Sequence, residues 1–272
     1  MRAARGAGLL IPGAPRPLLA AGAGRILERN VLQYRRLWWV LASGLFEPFF
    51  YLLGIGFGVG SLVGAVALGG GRTVGYAVFV APALMASTAM NGAIYDATFN
   101  LFFKLNYAKT YDAVLATPLG VRDIAVGEMA WSLLRGAIYA AGFVAVMALL
   151  GLLASPWAAL SIPAAVLVSF AFAGVGSAAT TFMRSWQDFD LVNLALIPLF
   201  LFSATFYPIT VYPEPLRSLV ALSPLYHGVD LLRSLTTGAI GPSALLDVAY
   251  LLLMGAAGLA VTSRRLQRLL LK

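Results

Sequence analysis

Residues Trp157 to Phe182 read WAALSIPAAVLVSFAFAGVGSAATTF, a run without one charged side chain. About 20 consecutive apolar residues cross the hydrocarbon core of a bilayer as a helix. Only Ala154, Ser155 and Pro156 separate this run from a second one, Trp131 to Leu153. So short a connector forces the two helices into an antiparallel hairpin. Working outward, Val74–Tyr95 and Leu37–Gly60 precede the pair, and Phe189–Phe206 and Ser243–Thr262 follow it. The pattern predicts an all-α polytopic membrane protein with six transmembrane helices. Trp38 and Trp39 open the first span, Trp131 the third and Trp157 the fourth, and Trp186 lies just before the fifth. Those are the headgroup-level positions of an aromatic belt.

Composition supports this reading. Of 272 residues, 60% are hydrophobic and 11% charged, against roughly 25% charged in a soluble domain. Cysteine is absent and His227 is the lone histidine, which removes disulfides, thiolate metal sites and two-histidine motifs. The net charge is +8. Sixteen of the 19 basic residues fall on one side of the predicted spans; Arg72, Arg217 and Arg233 fall on the other. By the positive-inside rule both termini are cytoplasmic. Anionic lipid then accounts for the charge, and no nucleic-acid partner is needed. The expected layout is a flexible cytoplasmic segment at 1–24, an amphipathic interfacial helix at 25–36, the six-span transmembrane domain at 37–265 and a basic cytoplasmic tail at 266–272.

Three segments are not simple spans. From Arg25 onward, Leu27, Val31, Tyr34 and Trp38 form one stripe, with Arg25, Glu28, Arg29, Arg35 and Arg36 largely opposite; such a helix lies in the membrane surface. The stretch from Asp96 to Met129 reads as a long loop holding a short helix, with Tyr107, Tyr111 and Val114 at helical spacing and Thr117-Pro118-Leu119-Gly120 ending it. It either packs on the bundle or docks a soluble partner. Residues 207–242 contain Pro208, Pro213, Pro215, Pro224 and Pro242 among apolar runs. They read as short helices dipping into the outer leaflet, where protein or water must satisfy the broken backbone.

Glu47 lies near the middle of the first span, where an ionisable group is a candidate for function; Pro48 follows it and opens the helix. Tyr51 and Asn91 join Glu47 as candidate pathway residues. Asp247, close to the start of the sixth span, is a weaker candidate. Gly54, Gly56, Gly58 and Gly60 alternate through GIGFGVG. With no strand before them they are no nucleotide fingerprint; their small-xxx-small spacing suits close helix contact. Ala173-Gly174-Val175-Gly176-Ser177 reads the same way. A P-loop, an H-E-x-x-H and a G-x-S-G are all missing, so an intramembrane enzyme lacks its working parts.

The run PLYHGVDLLR, Pro224 to Arg233, resembles the C-terminal signature of type-2 ABC transporter permeases. LFSATFYPITVYPEPLR, Leu201 to Arg217, resembles the same family's fifth span and outer loop. YAKTYDAVLATPLGVRDIAVGEMAW, Tyr107 to Trp131, and the Glu47-Pro48 pair with its glycines look closest to the nodulation lipo-oligosaccharide exporter branch. A daunorubicin-resistance permease would look nearly the same. The resemblance runs from about Asn30 to Arg265. It implies a dimer, as homodimer or with a close paralogue, in the bacterial inner membrane above two cytoplasmic ATPase subunits. Those subunits hold ATP and magnesium; the permease itself binds no cofactor. ATPase contacts map to Arg29 on the surface helix, to Lys109, Thr110, Tyr111, Asp112 and Val114, and to Arg184 and Asp188. An outer re-entrant gate maps to Tyr207, Pro224, Tyr226, His227, Asp230 and Arg233. The cargo implied is an amphiphile, such as a lipid-linked glycan or lipo-oligosaccharide. A hydrophobic-drug exporter is the nearest alternative, and a lipid-modifying membrane enzyme the alternative from another class.

Overall fold

A computed structural model describes residues 19–35, 39, 46–69 and 72–271. Four of its helical rods are long and apolar enough to cross a membrane: Tyr76–Asn106, Val121–Leu149, Pro156–Thr180 and Ser243–Leu270. The first three alternate in direction and the fourth runs parallel to the third, with Gly255 beside Gly174 and Arg265 beside Thr181, so one end of the molecule collects the basic residues. We call it the basic end.

Helix α1 (Leu19–Arg35) begins before Arg25. Its inward face is Ala23, Ile26 and Asn30, whereas Val31 and Leu32 are exposed. The predicted stripe is therefore rotated. The cause is Gly127, which lets α1 approach so closely that an added Cβ would lie 2.7 Å from Ile26 Cβ. The first apolar stretch follows as α2 (Phe46–Tyr51), a π-helical segment (Leu52–Val59) and α3 (Gly60–Val63). Most of 36–45, and the side chain of Glu47, lie outside the described residues. Strands β1 (Ala65–Gly69) and β2 (Arg72–Gly75) then pair antiparallel, Val66 opposite Val74. This short ribbon is an addition to an otherwise helical chain; the alternation of Val66, Leu68 and Val74 with small or polar neighbours has period two, which suits a strand.

Helix α4 (Tyr76–Tyr95) continues through a π segment (Asp96–Asn100) into α5 (Leu101–Asn106). A short α6 (Thr110–Leu115) follows, and α7 spans Val121–Leu149. The long loop predicted from Asp96 to Met129 therefore shrinks to Tyr107–Gly120. Gly120 starts α7 by donating its N–H to Asp123 Oδ2 at 2.9 Å, and the charges that read as loop are paired across elements, as described below. A 3-10 turn (Pro156–Leu160) leads into α8 (Ser161–Thr180).

Helix α9 (Asp188–Leu201) stops short of the predicted Phe206. Pro198 lacks the N–H that would bond Leu194, and Ala204 takes a positive φ of 54° with its carbonyl held by Arg233 at 2.9 Å. A 3-10 turn (Ile209–Val211), α10 (Glu214–Ala221) and α11 (Pro224–Thr237) precede α12 (Ser243–Leu270).

Helix α4 is buried on nearly every side, by Phe79, Val80, Leu84, Met85 and Met90 against Val168 and Phe172 of α8 and Leu225 and Leu232 of α11. Helices α8 and α12 cross at glycines. A Cβ on Gly174 would fall 2.6 Å from the Gly255 carbonyl oxygen. In hydrocarbon, where apolar burial between helices gains little, such backbone approach supplies the packing.

Candidate functional site

Helix α4 carries Ser87, Thr88, Asn91 and Tyr95 along one helical stripe, the i, i+1, i+4, i+8 positions of a single face. That stripe forms one wall of a cleft of about 620 Å³. Asn193, Ile197 and Phe200 of α9 form the opposite wall, with Tyr51 at one side and Arg135 and Tyr139 of α7 at the back. Ser87 and Thr88 donate to their own helix, to the carbonyls of Ala83 at 2.9 Å and Leu84 at 2.8 Å. Asn91 is half-buried and faces the cleft. Tyr95 Oη donates to Asn193 Oδ1 at 3.2 Å and ties α4 to α9. Two of the three pathway residues read from the sequence, Tyr51 and Asn91, thus meet here.

The back of the cleft is an ion pair. Arg135 Nη1 donates to Asp96 Oδ1 at 2.8 Å, and Asn100 Nδ2 donates to the same oxygen at 3.2 Å. The guanidinium also lies 5.5 Å from the Tyr34 ring and 5.6 Å from that of Tyr139, within cation–π range. A second polar cluster lies nearer the basic end. Glu128 accepts from Lys104 Nζ at 2.7 Å, from Asn30 Nδ2 at 3.1 Å and from Arg29 Nη2 at 3.2 Å. It joins α1, α5 and α7. In the sequence Lys104 and Arg135 stand only as orientation signals. Their acidic partners lie far along the chain, and no local pattern joins them.

At the opposite end α11 is held by side chains of its own signature. Arg233 is buried, donates Nε to the Phe79 carbonyl at 3.2 Å and lies 3.8 Å over the Phe79 ring. His227 Nδ1 sits 2.7 Å from Asp247 Oδ1, and the imidazole stacks on Tyr250 at 4.1 Å. Tyr226 packs beside His227, while Tyr207 packs on Tyr212. Pro224 starts α11, and Asp230 is half-buried on the same helix.

The profile of the ABC-2 type transporter family matches residues 23–236. The chain belongs to that family. It is 29% identical over 253 residues to Nodulation protein J of Rhizobium leguminosarum bv. viciae, covering 91% of this chain and 94% of the relative. The corresponding protein of R. leguminosarum bv. trifolii is 32% identical over 219 residues, 78% of this chain and 80% of that one. That of Rhizobium meliloti (strain 1021) is 27% identical over 220 residues, 79% and 80% of the two chains. The family match takes in the cleft, both charge clusters and nearly all of α11. With its apolar rods, this ABC-2 transporter chain is a multi-pass membrane protein.

The positions that the permease resemblance offers as ATPase contacts divide by exposure. Lys109 and Asp112 are exposed, and Thr110 and Val114 half-buried. Tyr111 is a correction: it is 1% exposed and packs with Ile26, Leu101 and Ile124. Its ring anchors α6 to the bundle, because at that helix's contact with α1 and α7 an apolar face gains more by burial than by facing water. Burial and the nearby Glu128 carboxylate push its phenol well above its ordinary pKa. On the neighbouring turn, Asp188 Oδ2 accepts the backbone N–H groups of Arg184 at 2.7 Å and Ser185 at 3.1 Å. Those bonds hold its carboxyl below the usual range. They also leave the Arg184 side chain exposed. The alternating glycines divide too. Gly56 and Gly60 face Ala77 and Tyr76, whereas a Cβ on Gly54 meets nothing within 4 Å and one on Gly58 meets only the Leu53 carbonyl, at 3.9 Å.

Proposed function

We propose that this chain is the membrane subunit of an ATP-driven exporter that moves an amphiphile, a lipid-linked glycan or lipo-oligosaccharide, out of the cytoplasm or inner leaflet. The observation that carries the reading is the cleft between α4 and α9. Polar groups are expensive inside hydrocarbon and gather where a pathway runs. Asn91, Asn193, Tyr51 and Tyr95 give a polar headgroup hydrogen-bond partners at membrane depth. Glu47, one turn before Tyr51, belongs to the same proposed pathway. The sequence resemblance to the nodulation exporter branch, and relatives named Nodulation protein J, favour the glycolipid cargo.

In this reading the short rods Phe46–Val63 and Asp188–Leu201 complete six spans, both termini are cytoplasmic, and the membrane is the bacterial inner one. Helix α11, with His227, Asp230 and Arg233, closes the outer end as a re-entrant segment. Two ATPase subunits dock at the basic end on Arg29, Lys109, Asp112 and Arg184. A second permease copy covers the exposed faces of α2 and α9, where Phe46, Phe50, Leu191, Leu194 and Ile197 have few neighbours in their own chain. One observation favours the drug-efflux alternative: on the far side of α9 lies a groove of about 850 Å³ lined by Phe172, Val175, Phe182, Leu191 and Leu199.

The test is export of a labelled lipid-linked oligosaccharide from proteoliposomes holding permease and ATPase. Asn91→Leu and Asn193→Leu each should slow it at least roughly tenfold, the loss of about 1.4 kcal/mol of interaction. Wild-type rates in both would remove the cleft from the pathway. Glu47→Gln should retain most transport and Glu47→Leu lose it; full transport by the Leu variant would remove Glu47.

A further inference from the structure

The cleft shares Tyr95 and Arg135 with a second, smaller one of about 400 Å³ on its basic-end side. The rim of this second cleft is aromatic: Tyr95, Phe99, Phe103 and Trp186. The rings form a packed cluster, with Phe99 stacked on Phe189 at 4.1 Å and Trp186 at 5.2 Å from Phe189. Tyr95, Phe103 and Trp186 remain exposed. Its floor is the Asp96–Arg135 pair with Asn100.

An aromatic belt that only marks the headgroup level presents rings outward to lipid. Here the rings border a concavity with charged groups at its base. Three ligand chemistries can be compared against that arrangement. A wholly apolar molecule would cover the Asp96–Arg135 pair with hydrocarbon and gain no hydrogen bond in return, a costly desolvation. A quaternary ammonium headgroup would suit aromatic rings beside a carboxylate. Asp96, however, is already paired with Arg135, and that guanidinium lies against the Tyr34 and Tyr139 rings. A second cation would meet its repulsion. A sugar ring fits both parts. Its C–H face covers an aromatic ring, and its hydroxyls both donate and accept, matching carboxylate, guanidinium and carboxamide. Pockets with aromatic walls and a few convergent polar groups are the usual form of a small-ligand site.

We propose that this cleft is the entry site for the cargo's sugar rings, which stack on Trp186, Phe103 and Phe99, hydrogen-bond over Asp96 and Asn100, and pass Arg135 into the larger cleft. The proposal rests on the exporter reading and specifies its substrate class: the recognised part is a glycan, not the lipid.

The test is Trp186 emission, read as the difference between wild-type protein and Trp186→Phe, in nanodiscs carrying the permease–ATPase complex. The probes are dodecyl glucoside, dodecyl maltoside and a dodecyl N-acetylglucosaminide below their micelle concentrations, with dodecylphosphocholine as the chain-matched control. A saturable shift with at least one glycoside and none with dodecylphosphocholine is expected, and Phe103→Ala should weaken it roughly tenfold. Equal shifts from glycosides and dodecylphosphocholine, or no shift from any glycoside, would overturn the proposal. Transport separates this outcome from failure of the exporter reading. If Asn91→Leu blocks export while Trp186→Ala exports at the wild-type rate, the entry site falls and the exporter stands. If the wild-type complex exports no amphiphile, the exporter reading falls, and the fluorescence titration still decides whether the cleft binds sugar.

Discussion

Helix α9 has a different neighbourhood on each flank. Toward α4 and α7 it faces a cleft holding Asn91, Tyr95, Arg135, Tyr139 and its own Asn193. Toward α8 and α12 it faces a groove of similar scale walled by Phe172, Val175, Phe182, Val192 and Met254. Along most of its length that groove offers no hydrogen bond; polar groups appear where Arg184, Ser185 and Asp188 meet its basic end. Leu196 borders both spaces. An amphiphile crossing a bilayer needs a polar path for its head and a hydrocarbon path for its tail. One thin helix with few contacts to the rest of its chain separates two such spaces, and either can change without dismantling the other.

The comparison breaks hardest at the cleft's back wall. Asp96→Ala strands a half-buried Arg135 cation, and loss of one partner of a buried pair costs about 3–5 kcal/mol. Since Arg135 is 19% exposed at its side chain, the lower end of that range, about 3 kcal/mol, is expected. Thermal unfolding in detergent should show it. Asp96→Ala combined with Arg135→Met should recover much of the loss, since neither charge then remains. If the single variant unfolds like wild type, the ion pair does not hold the cleft. On the groove side the equivalent change is Gly174→Ala. The added Cβ meets the Gly255 backbone, which cannot rotate away, and overpacking of this kind costs about 1–3 kcal/mol. It should separate α8 from α12 and alter detergent or lipid retention in the groove, with export of a short-chain, sugar-headed cargo least affected.

Much of this fold could be read along the chain, because a span reports itself through hydropathy alone. Of the expected span Val74–Tyr95 all but its first two residues are helical, Val74 and Gly75 closing β2, Ser243–Thr262 lies within α12, and the paired tyrosines of the loop do sit near a short helix. What failed was pairing at a distance. Arg122, Asp123 and Glu128 made the start of α7 look like loop, since nothing near them tells that Arg29 and Lys104 neutralise Glu128. The spacing of Tyr107, Tyr111 and Val114 gives a face but not its direction, so it leaves packing and docking open; the burial of Tyr111 is on the side of packing. The cleft was half legible. Tyr51 and Asn91 stood out as polar groups in apolar runs, but Asn193 passed as an ordinary member of its span, and Arg135 as an orientation charge. The missing signal was three-dimensional: the polar stripe of α4 and the lone Asn193 of α9 matter only because they face each other.

A smaller effect separates the flanks more finely. Tyr95→Phe removes the bond to Asn193 and leaves the ring in place. One such bond is worth about 0.5–1.5 kcal/mol. Stability should fall by about 1 kcal/mol or less, while a spin-label or cross-link distance between α4 and α9 should widen and the distance between α9 and α8 should not. Equal widening on both sides would mean that α9 moves as a free rod and that the two spaces are one.

The smallest effect expected is at the groove's basic mouth, and pH isolates it. Asp188 is half-buried, and two backbone N–H groups hold its carboxyl below the ordinary range. A lowered folded-state pKa means that the ionised form stabilises the fold. That contribution is complete above the unfolded value, about 3.9, and is lost as pH falls through the folded value. Both N–H groups donate to the one oxygen Oδ2, so Asp188→Asn keeps an uncharged acceptor for them and has no proton to lose. The melting temperature of wild type should therefore exceed that of the Asn variant at neutral pH, and the two should converge as the pH drops below about 4. The comparison also tests Arg184, whose side chain the Asp188 turn leaves exposed. If ATPase co-purification falls in the Asn variant at neutral pH while unfolding is unchanged, the turn presents Arg184 to the partner and does little for the fold. A constant gap in melting temperature between the two proteins from neutral to acid pH would show that the carboxylate charge contributes nothing there, and that the turn depends on its shape alone.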